Sequence, residues 1–223
     1  MINIILIGPQ GCGKGTQAQA ILKKYGLVYV EAGAMIRQQT LLHDKKSSIL
    51  NHLVNQEGVL IPDGIIMDIV CDKIEETPSP QGYLFDGFPR SVEQYVSLKE
   101  YLAEKQIKLD AGIYIYISDE EAVKRLGGRR VCSLCKKSYS LFLEPGRTAC
   151  DCGGALIKRV DDEPEAIRQR LNEFHSRTAP ILKLMQEDKI LLEINGEQSI
   201  EQISSDIQNN LDSVTPLPNP VKE

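Results

Sequence analysis

The sequence predicts an α/β protein: a doubly wound, parallel five-stranded sheet interrupted by a helical insertion and by a small cysteine-rich flap. Three observations carry that expectation. Short apolar runs alternate with stretches of helical spacing, a rhythm that calls for parallel strands joined by crossover helices. The first run stops at a glycine-rich loop, "GPQGCGKGT", where a strand would end and a helix begin. Four of the six cysteines crowd between positions 132 and 152, in a segment where the alternation is missing.

Each element has its own local reason. Ile4 to Ile7 is continuous and apolar, as expected of a buried parallel strand, and a helix should follow from about Lys14 to Tyr25. "LVYV" at 27–30, "YLFD" at 83–86, "AGIYIYI" at 111–117 and "KILLEI" at 189–194 supply the other four strands. Ser91 with Gln94, Ser118 with Glu121 and Ser199 with Gln202 fit the reciprocal box that caps a helix start. Ile200, Ile203, Ile207 and Leu211 then make one apolar face. After Asp162, Pro164 occupies a first turn, and Ile167, Leu171 and Phe174 follow at helical spacing; Pro180 is expected to bend or end that helix. Residues 31–62 show helical spacing only, such as Leu50, Leu53 and Val54. The expected division is a core of 1–30, 62–126 and 161–212, an insertion of 31–61, a flap of 127–160 and a flexible tail of 213–223 with three prolines.

Composition narrows the function. A chain of 223 residues, 42% apolar and 26% charged, can bury one core without disulfides. A formal charge of -5 repels nucleic acid, and 5% aromatics with no Trp give no platform for stacking bases. The start, "MINIILIGPQ", has no basic leader, and no apolar run approaches the roughly 20 residues of a membrane span. The chain is therefore expected in the cytoplasm, with neither nucleic acid nor membrane as partner.

The glycine loop points to phosphate. Gly8, Gly11, Gly13 and Gly15 let the backbone curl around a polyphosphate at a helix N-terminus, and Lys14 adds a mobile cation. The alternative, a glycine turn of purely structural use, does not explain strand, lysine and helix in this order. Gly15 stands where such loops often carry a hydroxyl for magnesium, with the hydroxyl one step late at Thr16. Mg2+ would then rest on substrate phosphates and water, which suits an ion that dehydrates reluctantly. Asp86, at the end of "YLFD", would orient those waters from the carboxyl edge of the sheet, or alternatively cap the next turn.

Cys132-x2-Cys135, fourteen residues, then Cys150-x-Cys152 is the all-thiolate pattern of a structural zinc knuckle. The second pair is one residue shorter than usual. Residues i and i+2 of an extended strand share a face, and thiolates on tetrahedral zinc lie only about 4 Å apart, so the short pair remains feasible. Such a set leaves no open position, which makes Zn2+ structural rather than catalytic. The alternatives are reduced thiols or a flap held by hydrogen bonds. A zinc-ribbon nucleic-acid binder would need more cations than Lys136, Lys137 and Arg147.

"GPQGCGKGTQAQ", "AGAMIR" at 32–37, "DGFPRSVEQ" at 86–94, "GGRRVC" at 127–132, "RVDDEPEAIRQRL" at 159–171 and "TAPIL" at 178–182 together resemble the adenylate kinase family, in order, from Ile2 to about Leu211. The resemblance implies reversible Mg2+-dependent transfer of the ATP γ-phosphoryl group to AMP, giving ADP, in a monomer with an NMP-binding insertion and a lid. It implies that Lys14, Arg90, Arg129, Arg159 and Arg170 are catalytic. Gly11, Cys12, Gly13, Lys14, Gly15 and Thr16, with Arg129, Ser138, Tyr139 and Gln198, would hold ATP. Ala32, Arg37, Val59, Leu60, Ile61, Gly87, Phe88, Pro89 and Arg90, with Arg159 and Arg170, would hold AMP, and Gln94 would read its adenine. Arg125 also matches, but reads equally well as a solvated helix residue. An acidic chain that binds two polyanions must gather cations locally, and these arginines do so. Ala32 and Ala34 replace the family's Thr and Asp before the AMP arginine; one lost neutral hydrogen bond costs roughly 0.5–1.5 kcal/mol, a several-fold to tenfold effect on AMP affinity or acceptor preference. A phosphate-loop signalling switch would need a hydroxyl after Lys14 and an Asn-Lys-x-Asp motif, and the chain has neither.

Overall fold

The computed structural model describes residues 1–41, 50 and 61–214. In chain order the elements are β1 (Ile4–Ile7), α1 (Lys14–Tyr25), β2 (Val28–Glu31), α2 (Ala32–Gln39), α3 (Asp63–Glu76), β3 (Tyr83–Asp86), α4 (Val92–Glu104), β4 (Ala111–Tyr116), α5 (Asp119–Gly127), β5 (Arg129–Cys132), β6 (Ser138–Ser140), β7 (Leu156–Ile157), α6 (Pro164–Glu173), α7 (Pro180–Glu187), β8 (Leu191–Asn195) and α8 (Ile200–Val214). A 3-10 turn, Val160–Asp162, precedes α6.

The main sheet has the order β2-β3-β1-β4-β8, and every neighbouring pair is parallel. The side-chain period of two divides the core into two layers. Ile4 and Leu6 of β1 pack with Ala18 and Ile21 of α1, Ala122 of α5, Leu171 of α6 and Ile207 of α8. Ile5 and Ile7 face the other way, toward Val70 of α3, Leu98 of α4 and Met185 of α7. Because β1 lies between β3 and β4, chain crossing to both sides leaves a crevice at its carboxyl end, where ligands of open α/β sheets bind.

The expected elements appear with small shifts that have local causes. β8 begins at Leu191 rather than Lys189, since Lys189 is left-handed (φ 59°) and the Ile190 amide bonds Met185 O at 3.0 Å, closing the end of α7. Pro180 does not end the helix that begins at Pro164. The break lies upstream, in a π turn at Phe174–Thr178, and Pro180 sits in the first turn of α7. The wide turn closes through the Ala179 amide and Phe174 O at 2.8 Å, so the amide that proline lacks is not needed. All three serines cap as expected through the backbone amide three residues on, but the side chains of Gln94, Glu121 and Gln202 bond elsewhere: to the Arg90 amide, to Lys124 and Arg125, and to Asp206. Leu53, Val54, Val59, Leu60 and residues 215–223 lie outside the described residues.

One glycine is required by its surroundings. Gly82 has φ +112°, and a Cβ there would sit 2.0 Å from Ile2 O. The two backbones are held together, since the Ile2 amide bonds Gln81 O at 2.7 Å and the Val28 amide bonds Gly82 O at 2.9 Å. Gly82→Ala is expected to destabilise the fold by about 3 kcal/mol, combining the left-handed penalty with overpacking. Urea unfolding checks this, and a loss below about 1 kcal/mol contradicts it.

The cysteine-rich segment forms its own antiparallel sheet, β6-β5-β7. Its buried centre consists of Cys132, Tyr139 and Cys150, with Leu156 against them. The flap leaves the core at Gly128, where the Leu141 amide bonds Gly128 O at 2.9 Å.

Candidate active site

The glycine loop runs from β1 into α1 across the crevice. Gly11 and Gly13 are left-handed (φ 88° and 96°), and the latter is the N-cap of α1. A Cβ on Gly13 or Gly15 would meet nothing within 4 Å, so this side of the loop is open, and Thr16 is exposed beside it. The Thr16 and Gln17 amides bond Gly13 O at 3.1 and 3.2 Å, and the start of α1 carries the positive end of the helix dipole. Lys14 folds back, its Nζ donating to Gly8 O at 2.6 Å and Pro9 O at 2.9 Å, with Cys12 Sγ at 3.5 Å. Cys12 is buried beneath the loop, where a Cβ on Gly8 would touch its sulfur at 2.6 Å.

Asp86 ends β3 in register with Leu6 of β1 and Glu31 of β2, which brings it to the crevice. It is buried, and its Oδ2 accepts from the Tyr29 hydroxyl at 2.8 Å, with no protein donor to Oδ1 among the described residues. Burial first, then the neighbouring Asp86 charge, pushes the Tyr29 hydroxyl above its ordinary pKa and keeps it a donor. Glu31 pairs with exposed Arg37 at 3.2 Å. Ala32 is buried at the start of α2, and Ala34 is half-buried one turn before Arg37.

The turn after β3 places Arg90. Gly87 is left-handed (φ 70°), the Phe88–Pro89 peptide is cis, and both of those side chains are buried. Arg90 Nε donates to Gly87 O at 2.7 Å, its amide donates to Gln94 Oε1 at 2.7 Å, and its carbonyl accepts from Thr178 Oγ1 at 3.0 Å. Gln94 is itself buried, with Nε2 donating to Asp63 Oδ1 at 2.7 Å. Ile61 is half-buried just ahead of Asp63.

Three arginines from separate segments meet at one acidic pair. Arg129 of β5 donates through Nε to Asp162 Oδ2 at 2.7 Å; Arg159 donates to both carboxylate oxygens of Asp161, at 2.8 and 2.7 Å; Arg170 of α6 donates to Asp161 O at 2.9 Å and lies 3.1 Å from Asp161 Oδ2. Burial would raise the Asp161 pKa, but the hydrogen bonds from Arg159 and the charges of Arg170 and Arg129 hold it below the ordinary carboxylate range. Asp161 and Asp162 have no role in the sequence-based expectation; the paired acids that begin two residues after Arg159 are the signal that could have found them. Arg125 pairs with Glu121 one turn away at 2.8 Å, the solvated-helix alternative. Gln198 follows β8 and bonds Asn195 O and Asp206.

The four cysteine sulfurs lie within 4.8 Å of one another, the one group of candidate metal ligands among the described residues. Cys132 and Cys152 are 3.5 Å apart, as are Cys135 and Cys150, close to the roughly 4 Å edge of a tetrahedral zinc-thiolate site. Cys150 and Cys152 do not sit on an extended strand. They occupy a tight turn closed by the Gly153 amide on Cys150 O at 2.9 Å, which brings both sulfurs inward despite the short spacing. The Cys132 thiol is pushed up by burial, but the amides of Cys135 and Leu134 bring it below its ordinary value. Cys150 is lowered to about 6, chiefly by the Tyr139 hydroxyl 3.0 Å away. The Lys137 amide favours the Cys135 thiolate, but hydrogen bonds with Cys150, Cys152 and Cys132 push that thiol up to about 12, so it is the spacing of the four sulfurs that fits a metal ion. Tyr139 thus faces the cysteines, with Arg147 over its ring, while Ser138 beside it is exposed.

No helix among the described residues is long and apolar enough to cross a membrane. The chain matches the family described as adenylate kinase over residues 6–190. It is similar to the adenylate kinase of Acetivibrio thermocellus, 36% identical over 96% of this chain and 99% of that protein, and to that of Pyrococcus abyssi, 37% identical over 96% and 97%. The adenylate kinase of Kosmotoga olearia is 36% identical over 96% of this chain and the whole of that protein. The glycine loop with Lys14, the turn that fixes Arg90, and the arginines gathered from three segments thus sit on a chain that belongs to the adenylate kinase family.

Proposed function

We propose that the protein transfers the γ-phosphoryl group of ATP reversibly to AMP, with Mg2+, giving two ADP. The observation that carries this reading is an open glycine loop, with Lys14 folded onto it, between β1 and α1 of a chain that belongs to the adenylate kinase family. Phosphoryl transfer of this kind needs alignment and charge more than covalent help. The ATP phosphates lie along the amides of Gly11 to Thr16, with Cys12 buried under the loop. Lys14 exchanges the carbonyls of Gly8 and Pro9 for phosphate oxygens. Arg90 and Arg37 hold the AMP phosphate, with Arg37 released from Glu31. Arg129, Arg159 and Arg170 leave Asp161 and Asp162 to close on the transferring group. The flap of 127–160 folds over ATP and excludes water, which protects the phosphoryl group from hydrolysis. Ser138, Tyr139 and Gln198 lie on the ATP side; Ala32, Ile61, Gly87, Phe88 and Pro89 line the AMP side.

The Oδ1 of Asp86, without a protein donor among the described residues, suits a shell of metal-bound water, and Mg2+ would supply positive charge to the polyphosphate when bound. Zn2+ in the four cysteines would staple a flap too small for a core of its own. The protein is read as a cytoplasmic monomer, with 31–61 as the NMP-binding insertion. Presenting MgATP with AMP, GMP, CMP or UMP in turn tests the function: ADP is expected with AMP alone. ATP hydrolysis without an acceptor, or equal turnover of GMP, contradicts it.

A further inference from the structure

The buried contacts of Gln94 determine which end of its carboxamide is oxygen. The Arg90 amide, which can only donate, faces Oε1 at 2.7 Å, and Asp63 Oδ1 faces Nε2 at 2.7 Å. An ionised carboxylate only accepts. Asp63 is itself held: the Ser91 hydroxyl donates to its Oδ2 at 2.8 Å, and Arg177 Nη2 lies 3.5 Å from its Oδ1. Ser91 Oγ in turn accepts from the Gln94 amide at 3.2 Å. Turning the carboxamide over would set N–H against N–H and oxygen against oxygen, two mismatches in a buried site.

After these contacts, Oε1 keeps one lone pair and Nε2 one hydrogen. That leaves one acceptor and one donor in a single order. At position six of the purine ring adenine donates, through its amino group, whereas guanine accepts, through its carbonyl oxygen. An amide free to turn over would satisfy either base. We propose that Asp63 is a specificity-determining positioning residue: it holds Gln94 in the one orientation that presents oxygen to an amino group, and so excludes purine monophosphates carrying oxygen at position six. This rests on the reading of Gln94 as the residue that reads the acceptor base. Asp63 need not touch the nucleotide; it acts through Gln94.

The test compares kcat/KM for AMP and GMP, with MgATP as donor, in the wild type, Asp63→Asn, Asp63→Glu and Gln94→Leu. Asp63→Asn replaces an acceptor-only group by an amide that tolerates both orientations of Gln94. The AMP-to-GMP ratio is expected to fall about tenfold or more, with the KM for MgATP unchanged, while Asp63→Glu keeps most of the ratio. A merely structural role would weaken both acceptors together, so a ratio within about twofold of wild type in Asp63→Asn overturns the proposal. If Gln94→Leu also leaves the ratio unchanged, the reading of Gln94 is what has failed; if Gln94→Leu collapses it and Asp63→Asn does not, only the role of Asp63 falls. Should Asp63→Asn not fold, Asp63→Ser is put through the same assay: a fall of the AMP-to-GMP ratio with the KM for MgATP unchanged supports the proposal, and a ratio within about twofold of wild type overturns it.

Discussion

Arg90→Met is expected to lower kcat/KM for AMP by about 10³-fold while the KM for MgATP stays within a few-fold of wild type. The size of the effect follows from how the side chain is prepared. Its Nε is bonded to Gly87 O, its amide to Gln94 Oε1 and its carbonyl to Thr178 Oγ1, so backbone and guanidinium base are fixed before substrate arrives. On the proposed reading the two terminal nitrogens grip phosphate in a bidentate fork, with little ordering cost left for the transition state. Methionine keeps an unbranched apolar stem and loses all the donors. Arg90→Lys restores charge without the fork or the Gly87 contact and should recover only part of the activity. Steady-state kinetics with each substrate varied in turn make the measurement. A loss in Arg90→Met of less than about tenfold would remove Arg90 from the proposed machinery.

Emptying the proposed Zn2+ site should have the next largest consequence. The flap sheet consists of strands of four, three and two residues, and its buried centre is two cysteines and one tyrosine. Sheets this small are marginal without a staple, whereas the two layers of the main core need none. Protein as prepared is expected to hold about one Zn2+ per chain, and Cys135→Ser or extraction with a chelator should release it. Turnover should drop at least about tenfold if, as proposed, the flap closes over ATP and delivers Arg129. Melting should then show a separate early loss of flap structure, with the main transition shifted only slightly. Metal-free protein with the turnover and melting profile of the original would mean that hydrogen bonds among the thiols, Tyr139 and Asp151 suffice.

Much of this molecule was legible in the chain alone, because the signals are local. A strand that ends at glycines before a lysine, a serine three residues ahead of an amide it caps, and apolar residues spaced by two or by 3.6 all report on neighbours a few residues away. They yielded all five strands of the main sheet, the start of α1, the caps of α4, α5 and α8, and the cysteine cluster. That Arg129, Arg159 and Arg170 gather at one place was an expectation from the acidic chain, which must assemble its positive charge locally, and they do meet at Asp161 and Asp162.

Strand order, and the partners each charged residue keeps, were decided only by tertiary structure. Arg129 and Asp162 are 33 positions apart, Gln94 and Asp63 31, Tyr29 and Asp86 57, and nothing in the spacing of such pairs marks them as contacts. The π turn ahead of Pro180 and the inward turn of Cys150-x-Cys152 belong to the same category, because each depends on what the backbone packs against. The physical reason is that periodicity and capping are settled within a few residues, whereas buried polar groups take whichever partner the completed fold places within hydrogen-bond reach.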